Sequence, residues 1–371
     1  MINRKRVVDE FIQLATIDSP SFGEREIADV LITKLEELGF SVSEDDAGKA
    51  YGSDCGNLYG YLEGELEGDP LLFSAHMDTV PPALNKKAIL QPDGRITSAG
   101  DTVLGADDIA GLISILEAVR SLREEGIPHR SAEVMFTIAE EPYAKGSSAF
   151  DYSKIRSKEA YVLDLSGKVG RAAYAAPTIV TFTALVQGKA AHAGFSPEEG
   201  IHSIAIAASV INRIKLGRID EDTTVNIGLI SGGAATNIIP ESCRVEGEIR
   251  SFCHDTAVRI LSEIKELFRS EADGAGASLV WEEVINCRAF ETDTGGRVAK
   301  RYLAACAEAG FQAQLIRTLG GSDCNTFAVM GISGLVLSNA MNQVHSCNEY
   351  TEVEELVNSI QIVRNIMRSR D

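Results

Sequence analysis

At 371 residues the chain exceeds one average domain of about 150 residues and leaves room for two. Its 44% apolar and 24% charged content is that of a folded protein, and it excludes a disordered chain. Lys plus Arg number 35 against 54 Asp plus Glu, a formal net charge of −19, so nucleic acid and anionic membrane are poor partners.

The opening residues interleave charges with apolar residues at helical spacing, leaving no separate hydrophobic region of a secretory signal. No apolar run approaches the roughly 18 residues of a membrane-spanning helix. Seven cysteines carry no C-x-x-C pair, a pattern that fits reduced thiols better than a disulfide framework. A cytoplasmic location is expected.

Residues 4–16 and 24–38 carry amphipathic helical patterns, the second ending at Gly39. Short apolar runs then alternate with helical stretches, the pattern of an α/β sheet. Strands are predicted over 58–62, 71–75, 133–139, 160–163 and 334–338, and helices over 107–122, 297–309 and 353–368. The Asp93-Gly94 dipeptide, flanked by runs at 88–90 and 95–97, predicts a hairpin turn. From residue 178 the order becomes strand (180–187), helix (201–214), strand (224–230), strand (243–250), helix (256–272) and strand (277–285). This β-α-β-β-α-β order is ferredoxin-like and reads as a domain inserted at 178–287 between two parts of a larger one, 1–177 and 288–371.

Potential metal ligands follow the apolar strands of the larger domain. The 71–75 run leads to His76 and Asp78, the 133–139 run to Glu140 and Glu141, and the 160–163 run to Asp164; His345 follows 334–338. In open α/β sheets ligands bind beyond the carboxyl ends of strands, and imidazole with carboxylate is the donor set of hydrolytic zinc. Singly, a histidine after a strand is an ordinary loop residue, and a Glu-Glu pair is ordinary surface charge. Two adjacent carboxylates at the end of a core strand, however, raise each other's pKa unless a cation is present. Asp107 and Asp108 open an apolar helix, where plain N-capping is the alternative, and Asp108 is read as such a cap.

SAHMDTVPP, TVLGADDIAG, FTIAEEPYAKG, AYVLDLSG, GKAAHAG, ATNIIPE, GGSDCNTF and QVHSCNE occur in this order along the chain. With these motifs nearly the whole chain resembles the di-zinc peptidases related to peptidase T, aminoacylase and carboxypeptidase G, and most of all the peptidase T (tripeptide aminopeptidase) branch. The resemblance implies an α/β fold, a mixed sheet of the zinc-peptidase type flanked by helices, with the inserted ferredoxin-like α+β domain serving as lid and dimerisation domain. It implies two divalent ions, zinc first with cobalt or manganese as alternatives. Asp107 would bridge them, His76 and Asp164 completing one site and Glu141 and His345 the other. Glu140 would be the general base, and Asp78 the carboxylate that orients the His76 imidazole. A cis peptide is implied between Asp107 and Asp108.

The resemblance also assigns His192 to the oxyanion in the partner subunit's active site, which implies a homodimer. Asn237 would bind substrate, Arg250 would grip the substrate's terminal carboxylate through paired hydrogen bonds, and Gly320-Gly321-Ser322-Asp323 would make a tight turn beside it. Taken alone, His192 is a surface-loop histidine and Arg250 a surface arginine paired with an acid. Family members usually carry Lys where this chain has Ile109, a position outside the ligand set. The expected activity is hydrolysis of small peptides by an aminopeptidase. An N-acyl amino acid deacylase or carboxypeptidase on the same scaffold is the nearest alternative, and a catalytically silent metal-binding protein the more distant one. The lack of G-x-S-x-G, G-x-G-x-x-G and P-loop patterns disfavours serine hydrolases and nucleotide enzymes.

Overall fold

The computed structural model describes residues 1–370, and the chain divides into two compact units, Ala176–Phe290 and the remainder on either side of it. The boundaries of the inserted unit lie within three residues of those read from the sequence.

The larger unit is built on a nine-stranded mixed sheet. Its middle runs in the order Leu58–Leu62, Arg130–Thr137, Leu66–His76, Glu159–Leu165, Ser333–Ser338. The last four of these are mutually parallel, and Leu58–Leu62 pairs antiparallel with Arg130–Thr137. Parallel strands covered on both faces are buried throughout, and every residue of Arg130–Thr137 is buried. Leu66–His76 starts five residues before the predicted run, because a register shift between Leu66 and Leu71 absorbs Gly68 (φ 124°) and Pro70.

Helices Arg4–Ala15, Ala106–Glu125 and Val353–Met367 pack together, and Ala106–Glu125 also lies against Leu66–His76. Ala106–Glu125 is buried almost throughout as far as Leu122, which explains its continuous apolar sequence. Ile109 is fully buried in this core. Three expectations need correction. The helix is non-helical at Asp107 and Asp108, the strand leading to Glu140 ends at Thr137, and Asp164 sits inside its strand, not beyond it. The Asp93-Gly94 hairpin is present, but its turn spans Pro92 to Gly94, with Gly94 at φ 88° and Gln91 N bonded to Arg95 O. It carries a third strand, Tyr350–Glu352, that the sequence did not announce.

The second unit has a five-stranded antiparallel sheet in the order Gly217–Arg218, Thr223–Gly232, Ser242–Ser251, Thr178–Gln187, Ser278–Cys287. Val180, Phe182, Ala184 and Val186 alternate towards helices Ser203–Arg213 and His254–Gly274 and form a core of their own. Among the described residues no helix is long and apolar enough to cross a membrane.

Candidate metal centre

Three parallel strands deliver their C-terminal ends to one place. His76 closes Leu66–His76, Asp164 is the sixth residue of Glu159–Leu165, and Glu140 and Glu141 follow Arg130–Thr137. Asp107 comes in on the irregular start of its helix, through a cis Asp107–Asp108 peptide. His345 arrives on the loop beyond Ser333–Ser338, with φ 60°. The five predicted ligand residues and Glu140 are therefore gathered, although they span positions 76 to 345.

Asp107 is central. Its Oδ1 lies 3.0 Å from His76 Nε2 and its Oδ2 3.3 Å from His345 Nε2. His345 Nε2 is also 3.1 Å from Glu141 Oε2, and His76 Nε2 is 4.0 Å from Asp164 Oδ1. Two donor triads result, His76/Asp107/Glu141 and His76/Glu140/Asp164, each with its ligand atoms within 4.8 Å of one another.

The orientation of the His76 ring is set from behind. Nδ1 donates to the main-chain oxygen of Asp78 at 2.9 Å, which leaves the Nε2 lone pair for the cluster. The carboxylate of Asp78 stands further from that nitrogen, at 3.4 Å, and accepts instead from Glu140 N at 2.9 Å, Glu141 N at 3.3 Å and Ser21 Oγ at 2.6 Å. The Asp78 main chain thus anchors the ring, and its carboxylate, which faces the same nitrogen, also holds the Glu140-Glu141 turn. Asp108 is the cap read from the sequence: it accepts Gly111 N at 3.1 Å, His76 N at 3.2 Å and Asn339 Nδ2 at 2.7 Å.

The charges do not balance without a cation. Burial pushes Glu140 and Asp164 well above the usual carboxylate range, and each is pushed further by a neighbour, Asp164 in the first case and Asp107 in the second. Burial also raises Glu141. For Asp107 burial acts upward, but His345 and His76 outweigh it and hold the carboxyl low. His345 is raised to about 10 by Asp107 and Glu141. Burial would lower His76, yet Asp107 and Asp78 carry it above its ordinary value. Oε1 of Glu141 is buried with no hydrogen-bond partner among the described residues. A crowd of carboxylates with two imidazoles, no thiolate and an orphaned carboxylate oxygen fits a pair of divalent cations.

Sequence reasoning missed several buried supports. Glu349 receives the main-chain N–H groups of Gly105 and Asp107, and Thr137 donates to Asp323 Oδ2 at 2.6 Å. Glu349 belongs to QVHSCNE, so its nearness to His345 was an available signal. The Gly320–Asp323 segment is not simply a tight turn. Ser322 caps helix Asp323–Val329 in a capping box with Asn325, and neither Gly320 nor Gly321 has a positive φ.

The remaining predicted residues belong to the second unit. His192 and Asn237 are exposed on adjoining loops, tied by a His192–Ile238 bridge and by Ala193 N donating to Asn237 O at 3.0 Å. Nδ1 of His192 accepts Gly194 N at 3.1 Å and Phe195 N at 3.2 Å, so the neutral ring carries its proton on Nε2. Arg250 turns its Nε (2.6 Å) and Nη2 (3.0 Å) to Glu248, so its fork is engaged by a neighbour on the same strand.

Residues 174–275 match the peptidase dimerisation domain of the M20 peptidases, and residues 57–192 match peptidase family M28. The uncharacterized protein YqjE of Bacillus subtilis (strain 168) is 38% identical, the match covering 98% of each chain. Aminopeptidase PepT from Bacillus cereus ATCC 10987 superposes with a TM-score of 0.93 at 38% identity, covering 99% of this chain and 98% of that one. A tripeptidase from Staphylococcus aureus subsp. aureus Mu50 gives a TM-score of 0.96 at 33% identity over the same shares. The chain belongs to the M20 metallopeptidases, in their peptidase T-like group.

Proposed function

We propose that the protein is a dinuclear metal-dependent exopeptidase that removes the N-terminal residue of short peptides, tripeptides foremost. The observation that carries this reading is Asp107, whose two oxygens face two histidines within one cluster of buried carboxylates. The aminopeptidase and tripeptidase activities named for the two similar structures support the substrate class.

In this reading His76, Asp107 and Asp164 hold one ion, and Asp107, Glu141 and His345 the other. Zinc suits the N/O donors, with cobalt or manganese as alternatives. When bound, the ions supply Lewis acidity to the scissile carbonyl and to the attacking water. Glu140, held beside the ligands by its own main chain, takes a proton from that water and passes it to the departing amine. Burial and Asp164 push its carboxyl up in the metal-free chain, and two cations beside it would oppose that push and favour the ionised carboxylate a base requires.

The second unit supplies the rest. Its match to a dimerisation domain supports a homodimer in which His192 of each subunit donates Nε2–H to the oxyanion formed in the other. Asn237 shares the His192 loop pair and binds substrate with it. Arg250 takes the peptide's terminal carboxylate, which requires it to exchange Glu248 for that ligand. In the larger unit, Gly321 borders the substrate beside the Ser322 cap.

The test is metal analysis of the purified protein together with a panel of tripeptides, dipeptides and N-acyl amino acids, before and after chelation. Two equivalents of metal and chelator-sensitive release of the N-terminal residue from tripeptides are expected. Cleavage confined to acyl amino acids, or release of the C-terminal residue, would replace the reading with a deacylase or a carboxypeptidase. Metal binding without any cleavage would leave a silent metal protein.

A further inference from the structure

Residues 138–141 leave the sheet with four consecutive main-chain N–H groups, and side chains take all four. Ile138 N donates to Asn57 Oδ1 at 3.1 Å, Ala139 N to Glu24 Oε1 at 2.9 Å, and Glu140 N and Glu141 N to the two oxygens of Asp78 at 2.9 and 3.3 Å. The carbonyls are held as well: Gly146, Lys145 and Ala144 N–H donate to Ile138, Ala139 and Glu140 O at 3.1, 2.9 and 2.6 Å. A Cβ on Gly146 would stand 2.3 Å from Ile138 O and 2.4 Å from Asn57 Oδ1, so only glycine fits there. Each amide of this short segment, and the first three of its carbonyls, is thus fixed by something outside it.

Ala139 is the critical link. Its φ of 45° is one that a Cβ disfavours, and such a conformation persists only where the surroundings dictate it. Its amide is held by Glu24, a fully buried residue 115 positions earlier in the chain. The carboxylate of Glu24 accepts from Phe22 N at 2.9 Å, from Ala139 N and from Ser53 Oγ at 3.1 Å, and none of these belongs to the five proposed metal ligands.

We infer that Glu24 is a positioning residue for Glu140: by capturing the Ala139 amide it fixes where the next residue's carboxyl stands. This rests on the reading of Glu140 as the base. The role is that of an acceptor, since Oε1 alone receives both Phe22 N and Ala139 N, while Oε2 meets a hydroxyl that can turn round. Glutamine keeps that oxygen and places its amide nitrogen towards Ser53 Oγ, so it preserves the arrangement; alanine abolishes it.

The test compares Glu24→Gln, Glu24→Ala and Glu24→Ala/Ala139→Gly in the metal-loaded enzyme, reading kcat, KM, metal stoichiometry and amide hydrogen exchange across residues 138–146. Glu24→Ala should lower kcat by about 10–100-fold with KM and metal content unchanged, the scale on which a displaced catalytic group loses rate. Exchange in that segment should quicken. Glu24→Gln should stay within about threefold of the parent, and Ala139→Gly should recover part of the loss, because glycine adopts the positive φ unaided. Should Glu24→Ala not fold, Glu24→Met fills the same space without an oxygen and takes its place. Unchanged kcat in the acceptor-less variant at full metal content overturns the proposal, as does a Glu24→Gln enzyme as poor as Glu24→Ala. Glu140→Gln run alongside separates the two readings: if it keeps its turnover the base assignment fails, and if it is inactive while Glu24→Met is normal only the positioning role of Glu24 fails.

Discussion

Glu349 Oε1 accepts the main-chain N–H of Asp107 at 2.9 Å, while its Oε2 accepts that of Gly105 at 2.7 Å. The carboxylate therefore grips the segment that carries the central aspartate, just before the helix becomes regular. Gly105 has φ 79°, and a Cβ there would stand 2.9 Å from Thr79 Cγ2, so the segment has little freedom besides. Burial has raised Glu349 to about 7, the cost of placing an acid where two amides need an acceptor.

Glu349→Gln keeps the shape but turns an amide nitrogen towards one of these N–H groups. Losing one buried hydrogen bond costs about 1–3 kcal/mol, and misplacing a ligand's support typically weakens metal binding by about 10–100-fold. Calorimetric titration of the metal-free variant should show that loss, with circular dichroism unchanged. An affinity equal to the parent's would show that Asp107 is held without Glu349.

Glu140→Gln removes the proposed proton acceptor without altering volume. The main-chain bond to Asp78 does not involve the side chain, so the turn survives. Metal stoichiometry should stay at the parent level while kcat falls by about 10²–10⁴-fold, the usual contribution of a general base. Near-normal turnover at full metal content would remove Glu140 from the chemistry.

The parts of this centre that were legible in the sequence are those tied to periodicity. Leu58–Leu62 alternates buried and half-buried residues, and its boundaries match the predicted run. Asp107 and Asp108 stood out because two acids open an otherwise apolar helix. Glu24 did not, and Glu349 and Asp323 did so only as members of the QVHSCNE and GGSDCNTF motifs, because a single acid in a polar stretch has the same local signature whether it is solvated or buried under main-chain amides. Only the long-range pairing of residues 24 with 139 and 349 with 107 distinguishes them. The irregular backbone at Asp107–Asp108 and Ala139 is equally invisible to helix or strand periodicity, since side chains drawn from elsewhere hold it. Arg250 shows the converse: its motif marked a carboxylate binder, and the carboxylate it meets is Glu248.

Metal uptake should be coupled to protons in a direction set by His345. Asp107 and Glu141 raise its imidazole to about 10 in the metal-free chain, so it is protonated at pH 7–8. A cation requires the bare nitrogen, so binding must release that proton, and affinity should climb as pH rises towards 10. The stability of the metal-free chain runs the other way. A raised pKa stabilises the fold fully below the unfolded value of about 6.5, and this contribution is lost as pH rises through the folded value. Titrating zinc into metal-free protein at pH 7.5, in two buffers of different ionisation enthalpy, should reveal release of at least about one proton per chain. Buffer-independent heats would show that His345 is already unprotonated.

The tautomer of His192 bears on how two chains would cooperate. With Nδ1 accepting from Gly194 and Phe195, and Phe195 stacked on the ring at 4.2 Å, the outward Nε2–H is a preset donor. The cluster around Asp107 lies in the other unit of the fold. If the match to a dimerisation domain reflects a dimer with exchanged histidines, two inactive variants can repair each other. A His192→Ala chain retains its Asp107 cluster and lacks a donor for its partner; an Asp107→Ala chain retains the donor and lacks the cluster. Their heterodimer then holds one complete site out of two. Random reassociation of equal amounts makes about half the dimers mixed, so about a quarter of the parent activity should return. The mixture must be shown by mass spectrometry to contain heterodimers. Activity no greater than the sum of the two homodimers, with heterodimers present, would place each His192 in its own chain's site or outside the reaction altogether.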